Sequence, residues 1–311
     1  MGRALGVLAV ASGLLAGCVR APSPTPINVL YTLHGDALSP AIGLVFQHTN
    51  VLSRYSLAGQ VSGADVGRPL SQAVADGPPD VILTGGDTAI LMLARGFRGK
   101  LLGSAGAAGR VGVAAAVPPK RIETVPDTAL DGLLTAWQTE GMVPTAAHEP
   151  VDADHLLASA RRGEAVMAAD PDLQDIASPV LHEARQPQAV MAAEVFLQRD
   201  REGAERLMAA ATDAVYFIAT HRAMVDGWLA HDLGAVLPTN HDIRAHSIVD
   251  VQMELTPDIR ADLQATADEL HADHVTSNPL HLQEFIDDDP VLRSHARFKG
   301  YYDPNAVQVV H

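Results

Sequence analysis

Apolar residues along this chain fall into short continuous runs alternating with longer segments of helical spacing. Ile27–Thr32 is a β-rich run that ends in the turn Leu33-His34-Gly35-Asp36. Ser39-Pro40 opens a helix over Ala41–His48, with proline near the first helical position, where its missing N–H costs nothing. Tyr55–Val61 alternates as a second strand, and Pro69–Ala75 makes a short helix ending at Asp76-Gly77. The apolar run Val81-Ile82-Leu83 predicts a third strand, which enters the turn Thr84-Gly85-Gly86-Asp87-Thr88 and then an apolar helix stopping at Gly96. Lys100–Ser104 and Arg110–Val117 are strand-like segments beyond it. This β-α-β-α-β-α-β order predicts a parallel sheet with crossover helices.

The pattern then restarts. Asp127-Thr128 can cap a helix running to about Gly141, and Asp152–Arg162 forms another that ends at Gly163. Glu164–Ala169 is a short strand closed by Asp170-Pro171, and Gln188–Gln198 is expected as one further strand. From Asp200 the chain is mostly helical. Glu202–His221 carries Leu207, Ala211, Val215 and Ile218 at helical spacing, and a further helix runs through Trp228. Thr256-Pro257 is an N-cap and first-position pair for a helix over Asp258–His271. Pro279–Ile286 is one more turn or helix, and the end, Tyr301-Tyr302-Asp303-Pro304, shows no clear period.

The amino terminus stands apart from this rhythm. Arg3 precedes the small and apolar run Ala4–Leu14, which is shorter than a bilayer span, and Leu15-Ala16-Gly17-Cys18 closes it. The ending resembles the bacterial lipobox, which implies a signal peptide over 1–17 and lipidation of Cys18, the only cysteine. A plain signal peptide with an incidental cysteine is the alternative. No internal disulfide is possible. Residues 18–26 are a Pro-rich tether, so an exported protein held at the membrane surface is expected.

The roughly 285 residues beyond the tether suit two lobes or one large α/β domain. A net charge of −15, from 22 basic and 37 acidic residues, argues against nucleic acid and polybasic membrane contact. An anionic ligand in a small electropositive pocket stays compatible with it. Only two Trp, five Tyr and six Phe are present, so stacking platforms are few; Trp137, Tyr31 and Phe46 are the ones to watch. The fourteen histidines include His271 and His274, three apart on one expected helix, and the nearby pair His241 and His246. Yet no HExxH or cysteine pair occurs, and no GxSxG or SxxK supports hydrolysis. No cofactor and no catalysis are expected.

Four stretches carry a family resemblance: VILTGGDTAILMLARGFRGKLLGS, DHLLASARRGEAVMAADP, VFLQRDREGAERLMAAATDAVYFIATH and PLHLQEFIDDDPVLRSH. In their order and spacing they resemble substrate-binding lipoproteins of ABC importers, in the nitrate/sulfonate/taurine and thiamine-precursor branch. Two family features are missing. Pro118-Pro119-Lys120-Arg121 stands where an acidic-Leu-Lys-Gly strand opener is usual, and His48–Leu57 replaces a stretch rich in Glu-Gly. The resemblance implies a two-lobed type II periplasmic-binding-protein fold, each lobe a mixed, mostly parallel sheet flanked by helices. Lobe 1 would comprise residues 27–111 plus 195–311 and lobe 2 residues 112–194, joined by crossing strands near Arg110–Ala116 and Ala192–Leu197.

It also implies a function. A monomeric receptor would capture a small molecule between its lobes and deliver it to an ABC permease and ATPase complex. The candidate ligand contacts are His34, Gly35, Asp36, Gly85, Gly86, Asp87, Thr88, Ser104, Asp127, Thr128 and Asp170, at strand ends and helix starts. Each has a plainer reading: Asp87 and Asp127 as N-caps, His34 and Asp36 as turn residues, Ser104 as a buried hydroxyl, Asp170-Pro171 as a generic turn. The leading ligand class is an anion or zwitterion such as a sulfonate or taurine, with an aromatic heterocycle next. Asp87 tilts this toward a zwitterion or a polar neutral solute, because its charge would repel a simple anion. A metal-binding or sensory lipoprotein of the same fold is the rival reading.

Overall fold

The structure, a computed structural model, describes residues 23–33, 38–64, 74, 78–105, 111–114, 121–124, 134, 138, 146–151, 155, 159, 162, 166–169, 179–182, 187–233, 251–272 and 274–310. Cys18 with its leader, His34, Gly35, Asp36, Asp127, Thr128, Trp137, Asp170, His241 and His246 lie outside these residues. So does most of each helix expected at 69–75, 127–141 and 152–162.

Two five-stranded sheets organise the described chain. The first contains β1 (Thr25–Tyr31), β2 (Leu57–Gly63), β3 (Val81–Gly85), β4 (Gly99–Gly103) and β10 (Gln188–Ala193), in the order β2-β1-β3-β10-β4. The second contains β5 (Val111–Ala114), β6 (Arg121–Thr124), β7 (Ala147–Pro150), β8 (Val166–Ala169) and β9 (Pro179–His182), in the order β7-β6-β8-β5-β9. In the first sheet β1 runs parallel to β2 and β3, while β10 is antiparallel to both neighbours. In the second, β6 runs parallel to β7 and β8, while β5 is antiparallel to both of its neighbours. Each sheet therefore carries its reversed strand in the fourth place.

That reversed strand is what the simple alternation of strands and helices does not encode. β10 arrives late in the chain and inserts between β3 and β4, which makes the sheet mixed and mostly parallel, as the family resemblance implies. The sheet limits also differ from the expected lobe limits at both ends. Val111 already belongs to the second sheet, and Gln188–Ala193 already belongs to the first. The return is complete before Ala192–Leu197. Gln188–Gln198 is not one strand: β10 stops at Ala193, where its pairing with β4 ends at Gly99, and helix α4 (Glu194–Arg199) begins. Glu, Leu, Gln and Arg in that stretch are strong helix formers.

The first sheet is covered on both faces, so its central strands are largely apolar and alternate between two cores. Val81, Leu83, Val190 and Ala192 face one core, which is filled by α1 (Leu38–His48) and α5 (Arg201–Thr220) with support from α6 (Arg222–Leu233). Ile82, Leu101, Ala189 and Met191 face the other, filled by α3 (Gly86–Ala94) and α7 (Pro257–Ala272). Leu207, Ala211, Val215 and Ile218 are all buried, as their spacing predicts. Asp200 caps α5 by accepting a hydrogen bond from the Gly203 N–H at 2.7 Å, a contact worth about 1 kcal/mol.

Three polar features complete the frame. β1 starts at Thr25, inside the expected tether, because the Thr25 N–H donates to the Ser56 carbonyl and Arg206 holds the Thr25 hydroxyl. The short helix α2 (Val51–Arg54) sits between α1 and β2. At the far end lies α8 (Asp289–Phe298), where Val291, Ser294, His295 and Phe298 share one inward face at helical spacing. It buries Val291 and Ser294 and is tied to α5 by ion pairs such as Arg297–Glu202 at 2.8 Å. The last residues lie against the α1–α2 junction, where Asn50 N–H donates to Gln308 O and Gln308 N–H to Asn50 Oδ1, both at 2.9 Å.

Candidate functional site

The first sheet brings the polar ends of several strands to one edge. β1 and β3 finish there because they are parallel. β10 starts there because it is antiparallel, with Gln188 paired to Gly85, and β4 finishes there with Gly103 beside Val190. The edge thus gathers Thr32, Thr84, Gly85, Ser104, Ala105 and Gln188, and the helix that follows β3 starts from it. In open α/β sheets this carboxyl edge is where ligands sit.

The β3–α3 turn is built by packing. Gly85 is extended, at φ −65° and ψ 150°, a conformation any residue adopts. Gly86 is required for space: a Cβ there would lie 2.6 Å from Leu263 Cδ2 and 2.9 Å from the Pro187 carbonyl oxygen. The close approach that the glycine pair permits is therefore made by the protein's own chain. The Gly86 N–H donates to that same carbonyl at 2.6 Å.

Asp87 follows, 5% exposed, and its Oδ1 accepts from the Thr88 N–H at 2.6 Å. Burial pushes its carboxyl up to about 6, against the opposing pull of the Thr88 N–H, the Thr88 hydroxyl and its own N–H. The N-cap reading is thus correct in chemistry and displaced in position. Gly85 occupies the cap position, and Asp87 binds the amide of the next residue from inside the first turn.

Around this turn the hydroxyls and amides are mutually engaged. The Thr32 hydroxyl donates to Thr84 Oγ1 at 3.2 Å, and the Thr32 N–H to the Leu83 carbonyl at 2.9 Å. Ser104 is buried, with its N–H on the Met253 carbonyl at 3.1 Å. Gly103 lies tight against the same residue, so a Cβ would fall 2.4 Å from the Met253 oxygen. The Ala105 N–H reaches Gln188 Oε1 at 3.3 Å. Among the expected contacts, then, Gly85, Gly86, Asp87, Thr88 and Ser104 share one edge. Thr32, Thr84 and Gln188 were missed; a buried glutamine opening an otherwise apolar strand is the signal that points to Gln188.

A buried acid in the second sheet was missed as well. Glu123, on β6, is fully buried, and neither carboxylate oxygen has a hydrogen-bond partner among the described residues. Arg121 Nη2 and His155 Nε2 stand off at 3.6 Å each.

Other sequence candidates fall away. Tyr31 and Phe46 are 3% and 4% exposed and belong to the core, so neither offers a stacking face. Gly43 of α1 lies against the Tyr31 ring so closely that a Cβ would be 2.3 Å from Cδ1. His271 and His274 do not share a helix face. α7 ends at Ala272, His274 turns back with φ 61°, and His271 Nδ1 pairs with the Thr276 carbonyl. Among the described residues no group of three histidine, cysteine, aspartate or glutamate side chains is placed to hold a metal.

No protein-family profile and no curated protein sequence matches this chain. Solved structures do. The alkanesulfonate-binding protein SsuA from Xanthomonas axonopodis pv. citri, bound to MOPS, is 15% identical, covering 86% of this chain and 99% of its own, with a TM-score of 0.61. The periplasmic aliphatic sulphonate binding protein SsuA from Escherichia coli is 16% identical, over 87% and 100% of the two chains, with a TM-score of 0.56. The desulfurization enzyme DSZB is 14% identical, over 88% and 99%, with a TM-score of 0.57. Identities this low speak for fold alone, and one fold can host both receptors and enzymes. The chain has the two-lobed α/β fold of periplasmic binding proteins.

Proposed function

We propose that this protein is a lipid-anchored, extracytoplasmic solute receptor that captures a small polar organic molecule and passes it to an ABC importer. The observation that carries the reading is the convergence of four strand ends and the start of α3 on one edge of the first sheet. The solute lies against Thr84–Thr88 and Ser104, with Gln188 fixing the backbone between them. His34, Gly35, Asp36, Asp127, Thr128 and Asp170 are proposed as further contacts from their places in the sequence. Solved neighbours of this fold are described mainly as binding proteins, which supports capture over catalysis. The lipobox-like Leu15-Ala16-Gly17-Cys18 supports export and anchoring through Cys18.

A thermal-shift panel of sulfonates, amino acids, pyrimidines and divalent cations tests it. At 100 times its dissociation constant a bound solute adds about 2.7 kcal/mol, so at least one organic solute is expected to raise the melting temperature clearly. A response to divalent cations alone, reversed by chelator, contradicts the reading and favours the metal-binding alternative.

A further inference from the structure

The start of helix α3 is placed like an oxyanion site, but its donors are already spent. The first amides of a helix lack partners inside it, and on an open turn they attract a negative group. Here the Gly86 N–H is committed to the Pro187 carbonyl at 2.6 Å, and the Thr88 N–H to Asp87 Oδ1 at 2.6 Å. The Asp87 carboxyl also draws on its own N–H and on the Thr88 hydroxyl. Reorienting the turn is blocked by the contacts that surround Gly86, with Pro187 on one side and Leu263 on the other. An incoming sulfonate or carboxylate would meet an acceptor where it needs donors. It would also meet a second negative charge whenever Asp87 is ionised.

We infer that Asp87 closes this turn to oxyanions, so that the solute group seated here is a hydrogen-bond donor such as an ammonium, amide or hydroxyl. The solute class is accordingly neutral or zwitterionic. The inference rests on the solute-capture reading above. Asp87 acts as a specificity-determining residue, and its removal reopens the anion site: alanine both deletes the charge and releases the Thr88 amide, whereas asparagine deletes the charge and keeps the acceptor.

The test is calorimetric titration of the mature chain with ethanesulfonate, an oxyanion with no donor, beside 2-aminoethanesulfonate. Wild type is expected to show no measurable ethanesulfonate binding. Asp87→Ala is expected to bind it at least tenfold more tightly than wild type, and Asp87→Asn several-fold more tightly. No gain in either variant overturns the inference, as does wild-type binding of ethanesulfonate that Asp87→Ala weakens. Should Asp87→Ala fail to fold, as judged by circular dichroism, the presence or absence of a gain in Asp87→Asn decides alone. If the variants gain ethanesulfonate while wild type binds no organic solute, the closure of the turn stands and the solute-capture reading falls. If wild type binds ethanesulfonate as well as its variants do, the capture reading stands and the closure falls.

Discussion

An Arg54→Ala variant is expected to lose about 3–5 kcal/mol of stability, on the order of 10 °C in melting temperature. Arg54 Nη1 lies 2.6 Å from Asp213 Oδ2, and Asp213 is fully buried midway along α5 among apolar neighbours. The same guanidinium donates to the Tyr301 and Asp303 carbonyls at 3.1 Å each, tying the carboxyl-terminal segment to α2. Removing it leaves the carboxylate with the Tyr55 hydroxyl at 3.1 Å and the Asp303 N–H, while its Oδ1 has no hydrogen bond among the described residues. Burial already raises the Asp213 carboxyl to about 6 against the pull of Arg54, so the stranded acid takes up a proton more readily still. The deficit should be greatest near pH 8 and shrink toward pH 5. Melting curves at both values check this. A loss below about 1 kcal/mol, the same at both, would mean that the pair behaves as an exposed ion pair.

Asp87→Asn is expected to act in the opposite direction and to stabilise the protein above neutrality. In the folded state this acid sits at about 6, raised by burial from the ordinary 3.8. The folded protein therefore holds the proton more tightly than the unfolded chain does. The stabilisation from that proton is fully present below about 4 and is lost as the pH rises through about 6. The loss is about 3 kcal/mol at 1.36 kcal/mol per pH unit. Asparagine resembles the protonated acid and keeps an oxygen for the Thr88 N–H. The variant should thus melt higher than wild type at pH 7.5 and at the same temperature at pH 4. A variant less stable than wild type at pH 7.5 would show that ionised Asp87 is favoured by the start of α3 more than burial penalises it.

These two acids show how much of the molecule could be read from residues alone. Asp87 was found because glycine punctuation between an apolar run and an apolar helix is a local signal. The reason for the glycine was not found, because the contact that demands it, Pro187, lies far along the chain and enters through β10. Asp213 left no signal: a single acid inside the apolar pattern of α5 looks like an exposed position until Arg54 and the tail are folded against it. Central strands β1, β3 and β4 and helices α1, α5 and α7 were legible because burial of a face imposes a period on each. Helix α8 has such a face too, in Val291, Ser294, His295 and Phe298, but a serine and a histidine on it hide the period from a reading of apolar residues alone. The single strand expected over Gln188–Gln198 failed for a related reason. Both halves hold apolar residues, and the division between them comes from the end of the β4 ladder at Gly99 together with the helix formers that follow Ala193. At the candidate site, backbone turns were visible in the sequence, whereas Gln188 and Thr32 joined them only through sheet order.

The central claim is that solute binds at the carboxyl edge of the first sheet, and amide hydrogen exchange tests it most directly. The solute that raises the melting temperature most is added to the mature chain, and exchange is compared with and without it. Slowed exchange at 84–88 and 103–105, with residues 51–54 and 301–310 unchanged, is the predicted result. Protection confined to 51–54 and 301–310, with none at 84–88 or 103–105, would contradict it.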